Sequence, residues 1–157
     1  MLEKLISGFQ TGVDRAVLDL AMQRQFPCGG WAPSGCQAED GVLPKRYPIQ
    51  GCKSHDERIA TELNIIESDG TLIITRGRPM GETAMGRVIA ERRAKHLLVI
   101  DLDQESDYRK AAAIIKRWLE NENIRILNVM GPRESRCNGI YNDTRELMEC
   151  LYGMITG

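Results

Sequence analysis

The sequence predicts an α/β fold, a doubly wound and mostly parallel sheet of about five or more strands with helices on both faces. Three observations carry this expectation. Short β-branched or apolar runs alternate with segments of helical period along the chain. Neither an internal linker nor a sequence repeat breaks the alternation. Glycine-bearing turns recur where a run gives way to a helix, at Gly8, Gly81 and Gly131. In such folds the ligand lies beyond the carboxyl ends of the strands, so these exit turns are expected to meet on one edge.

In chain order, Leu5 and Ile6 end a first strand, and Ile6 to Arg15 forms the first strand-to-helix turn. Thr11 stands three residues before Asp14, the spacing of a helix N-cap pair. Val13, Ala16, Val17, Leu20 and Ala21 mark one buried helix face, which Pro27 ends. Cys28 to Trp31 reads as a short second strand. From Ala32 to Lys53 only prolines and glycines punctuate polar residues, so this stretch is expected to be a lid or wall of the site. Ser54 and Glu57 have capping-box spacing, with Ile59, Leu63 and Ile66 facing inward behind them. Thr71 to Thr75 reads as a strand buried on both faces, followed by a loop with Arg76 and Arg78 and a helix that buries Met85, Val88 and Ile89. His96 to Ile100 and Ile124 to Val129 are further strands, separated by a helix that Ser106 caps and that buries Tyr108, Ala111, Ala112, Ile115 and Leu119. The last helix spans about Asn142 to Tyr152, with Gly153 placed to stop it.

The 157 residues fit one domain with a real hydrophobic core. Hydrophobic residues at 42% and charged ones at 27% are the balance of a soluble globular protein. No apolar run reaches membrane-spanning length, and Glu3 and Lys4 interrupt anything resembling a signal peptide. A net charge of −1 provides no field to recruit nucleic acid, so an anion site must be built locally. Five widely spaced cysteines without a C-x-x-C pair point to reduced thiols in a cytoplasmic protein rather than a disulfide framework or a zinc site; Cys36, Cys52 and Cys137 lie in polar loops where a soft-metal or redox role is the alternative, and no metal ligands are assigned.

The chemistry is expected in the turns. Gly8 and Gly12 permit close backbone approach, while Gln10 and Thr11 add side-chain donors to a phosphate cradle. Arg15, Lys45, Arg46, Arg76, Arg78, Arg133 and Arg136 lie in or beside the exit turns and the long loop, and arginine beside a glycine turn suits phosphate. Trp31 and Tyr47 offer rings for stacking on a base or pterin. Carboxylates in an anion site need a reason: Glu39 and Asp40 suit ribose hydroxyls, a bridging Mg²⁺, or general acid/base catalysis if the protein is an enzyme.

Taken together, several motifs resemble one known family. They are Ser7-Gly8-Phe9-Gln10-Thr11-Gly12-Val13-Asp14-Arg15, Gly29-Gly30-Trp31-x-Pro33-x-Gly35, Ala38-Glu39-Asp40-Gly41, Tyr47-Pro48, Gly81-x-Thr83, Leu127-Asn128-Val129-x-Gly131-Pro132-Arg133-Glu134-Ser135 and Gly139-Ile140-Tyr141. Over nearly the whole chain, and in order, they resemble the family labelled putative molybdenum carrier, a YpsA-related, circularly permuted branch of the SLOG superfamily. The resemblance implies a Rossmann-like fold, a homo-oligomer (dimer or tetramer), and a nucleotide-derived or other phosphorylated small molecule as ligand; the carrier label implies molybdenum cofactor. Carried over by position, Gly8, Gln10, Thr11, Gly12 and Asp14 form one phosphate cradle and Gly81 with Thr83 a second. Gly131, Arg133, Glu134 and Ser135 close the site. The family has glycine where this chain has Phe9. The superfamily's phosphoribohydrolases carry Pro-Gly-Gly-x-Gly-Thr-x-x-Glu, whereas here Thr83 is followed three residues later by Gly86. A nucleoside-phosphate N-glycosidase would therefore need Glu39 or Asp40 instead.

Overall fold

The computed structural model describes residues 1–156 and contains an all-parallel, six-stranded sheet. The elements run β1 (Lys4–Ile6), α1 (Val13–Gln23), β2 (Cys28–Ala32), β3 (Gln37–Ala38), β4 (Gly41–Val42), β5 (Ile49–Gly51), α2 (Glu57–Ile66), β6 (Gly70–Thr75), α3 (Gly81–Arg92), β7 (His96–Asp101), α4 (Tyr108–Asn121), β8 (Ile126–Met130), a 3₁₀ turn (Glu134–Arg136) and α5 (Ile140–Ile155). The strand order is β5-β2-β1-β8-β6-β7, and β3 and β4 form a separate antiparallel pair. The last strand thus lies in the middle, with Leu5 beside Leu127 and Leu72 beside Val129. All six residues of β6 are buried, as expected of a parallel strand covered on both faces.

One face carries α1, α5 and α4, with α5 packed against both others over Leu5, Leu20, Leu72, Leu127, Ile115 and Leu147. The opposite face carries α2 and α3, which pack on each other. Here the apolar period misleads about which side faces the sheet. Ala60, Asn64 and Ile65 are buried in α2 and Thr83, Gly86 and Ala90 in α3, whereas Ile59, Ile66 and Val88 are exposed. The reason is closeness: a Cβ on Gly86 would lie 2.2 Å from Met130 Cε, so only small side chains fit beneath this helix.

Residues 32–53 form neither the expected lid nor a wall of the site. They supply β5 to the sheet edge and pack Ala38, Leu43 and Tyr47 with Phe9 and Leu18 into a second small core. The Tyr47 hydroxyl donates to Asp19 at 2.5 Å, which pins the segment to α1. Phe9 is 7% exposed, its ring belonging to this core. Phe9→Ala should therefore cost about 3–5 kcal/mol in chemical denaturation. A cost below about 1 kcal/mol would show the segment is held without that ring.

Two helix starts also differ from expectation. Asp56, not Ser54, caps α2 by accepting from Arg58 N–H at 2.9 Å, and Asp107, not Ser106, caps α4. At the other end α5 continues through Gly153 to Ile155. Among the described residues no helix is long and apolar enough to cross a membrane.

Candidate functional site

A pocket of about 500 Å³ opens at the carboxyl ends of β1, β8 and β6, a size suited to small molecules. Its walls come from the three exit turns, the start of α3 and one side of α2. Of the residues expected there, Gly8, Phe9, Gln10, Asp14, Trp31, Arg76, Gly81, Thr83, Gly131 and Arg133 line it. Thr11, Gly12, Glu134, Ser135, Glu39 and Asp40 do not belong to the lining.

Those six hold the turns in place. Gly12, at φ 78°, abuts the β8 exit turn, and a Cβ there would lie 2.4 Å from Pro132 O. Glu134 caps α5, its carboxylate accepting from Gly139 N–H at 2.6 Å and Tyr141 N–H at 2.9 Å. Glu39 accepts from the Thr11 hydroxyl, from Ser135 N–H at 3.2 Å and from Ser135 Oγ at 2.5 Å. The Ser135 and Thr11 hydroxyls hold its carboxyl below the usual range, opposite to what a general acid needs. Asp40 is paired with Arg15 at 2.8 Å, which likewise lowers it. The expected Thr11–Asp14 capping box is absent; Glu134 N–H donates to Thr11 Oγ1 instead, at 3.1 Å.

The pocket arginines fall into two kinds. Arg76 is engaged by Asp143 at 2.7 Å and Asp103 at 3.1 Å, and Arg133 by Glu82 at 2.9 Å. Arg78 and Arg136 line the pocket and make no ion pair among the described residues. Beside them Met80 precedes α3 and gives no side-chain cap to its first-turn amides. An uncapped helix start with positive φ at Gly81 (55°) presents the Gly81 and Glu82 N–H groups and the positive end of the helix dipole to the pocket, while the Thr83 and Ala84 amides bond to Met80 O.

Three carboxyls occupy the same pocket. Asp14 accepts from Gln10 N–H at 3.3 Å. The single Ser7 hydroxyl hydrogen has Val129 O at 2.9 Å and Asp14 Oδ1 at 3.4 Å, so the nearer carbonyl takes it. Burial pushes Asp14 up to about 7, against the lowering effect of the Gln10 N–H bond. Because Asp56 is the cap, Glu57 begins the helix with its carboxyl free to meet Glu82. Sharing a hydrogen bond with Glu82, together with burial, pushes Glu57 up to about 7 although Arg133 lies 4.0 Å away. A carboxyl raised in the folded state stabilises it fully below the unfolded value and loses that contribution as pH rises through the folded one. Glu57→Gln should therefore flatten the fall in stability between about pH 4.5 and 7, read from melting temperature against pH. An unchanged profile would contradict the raised carboxyl.

Sequence reasoning missed Glu57, Asn64, Glu82 and Asn128 as pocket residues. The buried polar side chains Asn64 and Asn128, on an otherwise apolar helix face and strand, were the signal available. Asn64 supports the wall by accepting from Trp31 N–H at 2.8 Å. Trp31 is among the lining residues, and its indole N–H donates at 2.7 Å to Glu67, at the end of α2 away from Glu57.

An all-parallel, doubly wound sheet with its pocket at the strand ends defines a Rossmann-like α/β protein. The model of the circularly permutated YpsA SLOG family matches residues 5–152, and the chain belongs to that family. It is 42% identical to a putative molybdenum carrier protein from Syntrophus aciditrophicus SB whose crystal structure is known at 1.45 Å. The alignment covers 96% of this chain and 94% of that one, with a TM-score of 0.93. Among curated proteins nothing matches the chain.

Proposed function

We propose that this chain is a binding protein, a carrier or sensor, for a phosphorylated nucleotide-like small molecule. The observation that carries the reading is the uncapped start of α3 opening into the pocket beside the unpaired Arg78 and Arg136. Backbone N–H groups at a helix start and guanidinium forks both match phosphate oxygens. Trp31 supplies a ring face for the base.

The crystallised relative is named a putative molybdenum carrier protein, and with the motif resemblance this brings molybdenum cofactor within the reading. Phosphate would meet Gly81, Arg78 and Arg136, and a pterin ring would meet Trp31. No group of three or more His, Cys, Asp or Glu among the described residues is arranged to hold a metal ion. A molybdenum cofactor, whose metal is carried on the cofactor's own sulfur atoms, would meet this pocket through its organic part.

Thermal-shift measurements with nucleoside monophosphates and a pterin monophosphate test the proposal. At about 100 times the dissociation constant, a specific ligand should raise the melting temperature by about 5 °C or more. No shift with any phosphorylated compound, in folded protein, would contradict it.

A further inference from the structure

Three carboxyls in a pocket built for phosphate call for a ligand that also donates hydrogen bonds. Resting on the phosphorylated-ligand reading above, we propose that Asp14 and Glu57 read the paired N–H donors of a 2-amino-4-oxo-pyrimidine edge, the edge shared by guanine and pterin.

An ionised carboxylate only accepts, and its two oxygens match a ring N–H beside an exocyclic amine. Adenine and cytosine instead place an acceptor nitrogen next to their amine, so against the same carboxylate one contact is repulsive. Uracil and hypoxanthine offer a ring N–H without the amine. The rest of the lining supports a ligand with both donors and acceptors. Thr75 and Thr83 are 3% and 4% exposed, line the pocket, and direct their hydroxyls to no hydrogen-bond partner among the described residues. Gln10 is 7% exposed and uses its amide oxygen on Thr11 and Glu39 N–H groups, which leaves its amide nitrogen for the pocket. Asn128, 2% exposed, donates to Thr71 Oγ1 at 3.2 Å and keeps its amide oxygen free. Side chains buried this deeply with open hydrogen-bonding atoms are the mark of a polar ligand.

The electrostatic surroundings give the inference a sign. Asp14 faces Glu82 from α3, Glu57 from α2, Arg15 on its own helix and the Ser7 and Gln10 contacts of the β1 turn. Glu57 faces Glu82 and Arg133, with Arg76, Arg78 and Arg136 elsewhere in the lining. Asp14 and Glu57, both raised to about 7, are partly protonated near neutral pH. N–H donors from a ligand favour the ionised form, so binding should release protons and tighten as pH rises through about 7. Phosphate placed against the same carboxyls would do the reverse and take protons up.

Calorimetric titrations of GMP, IMP, AMP and 6-hydroxymethylpterin monophosphate, in two buffers of different ionisation enthalpy, test this. GMP or the pterin monophosphate, or both, should bind about tenfold or more tighter than IMP and AMP, with net proton release. Which of the two binds separates the guanine from the pterin source. Glu57→Gln should narrow the gap between GMP, or the pterin probe, and IMP to below about threefold and reduce the proton release. Equal binding of all four probes, or proton uptake, would overturn the donor-edge assignment while leaving the phosphorylated-ligand reading intact. Binding by none would overturn both.

Discussion

Gly12→Ala should destabilise the protein by about 3 kcal/mol or more, the largest effect expected of so small a change. At φ 78° and ψ −127° the backbone is in a region that favours glycine, and the added methyl would lie 2.4 Å from Pro132 O and 2.8 Å from Glu134 N. Both are backbone atoms of the β8 exit turn, so no side-chain rotation relieves the clash. The Val13 N–H bond to Pro132 O, 3.3 Å long, would be strained at the same time. Gly35 is the control: it also has positive φ, at 90°, but nothing lies within 4 Å of its Cβ position. Gly35→Ala should cost only the backbone term, about 1 kcal/mol. Urea unfolding of the two variants measures the difference, and equal losses would mean that the β1 and β8 turns do not depend on close contact.

Removing both unpaired arginines should weaken binding of a phosphorylated ligand by about 100-fold, roughly tenfold for each charge-assisted hydrogen bond removed. Arg78→Ala with Arg136→Ala leaves the packing of the sheet untouched, because both residues are exposed. Arg76→Ala should behave differently. Its guanidinium joins Asp143 and Asp103, and Asp143 also accepts from the Tyr108 hydroxyl at 2.7 Å, so the loss should fall on the mooring of the β6 turn rather than on phosphate. Calorimetry with the probe that stabilises the wild type separates the two. Unchanged affinity in the double variant would remove the arginines from the site.

The parallel sheet and the meeting of the exit turns were legible because β-branched runs such as Thr71 to Thr75 and the glycine turns are local signals. The orientations of α2 and α3 were not. An apolar period at Ile59, Leu63 and Ile66 looks like a core face, but a helix pressed closely on a sheet uses Ala60, Gly86 and Ala90 there and leaves larger residues outside. Charge pairing was equally hidden. Arg76 meets Asp143, and Arg15 meets Asp40, across long stretches of chain, so the sequence shows a cluster of arginines where the fold, among the described residues, shows two unpaired in the pocket and others neutralised. Glu57 was masked by its spacing from Ser54, which suits a capping box that Asp56 pre-empts. Phe9 stands in the first glycine turn, where nothing local shows what its ring meets, and the structure gives that ring a role in the core beneath residues 32–53.

In the proposed complex the ligand's phosphate sits on the start of α3 while its ring lies against Trp31. Nitrogen-15 amide spectra recorded during titration with GMP or 6-hydroxymethylpterin monophosphate test this most directly. The largest shifts are expected at the Gly8, Gly81, Glu82 and Thr83 amides and at the Trp31 indole N–H. Shifts centred instead on the apolar groove of Leu2, Leu119, Ile124 and Met154, or an unchanged spectrum with both compounds, would contradict it.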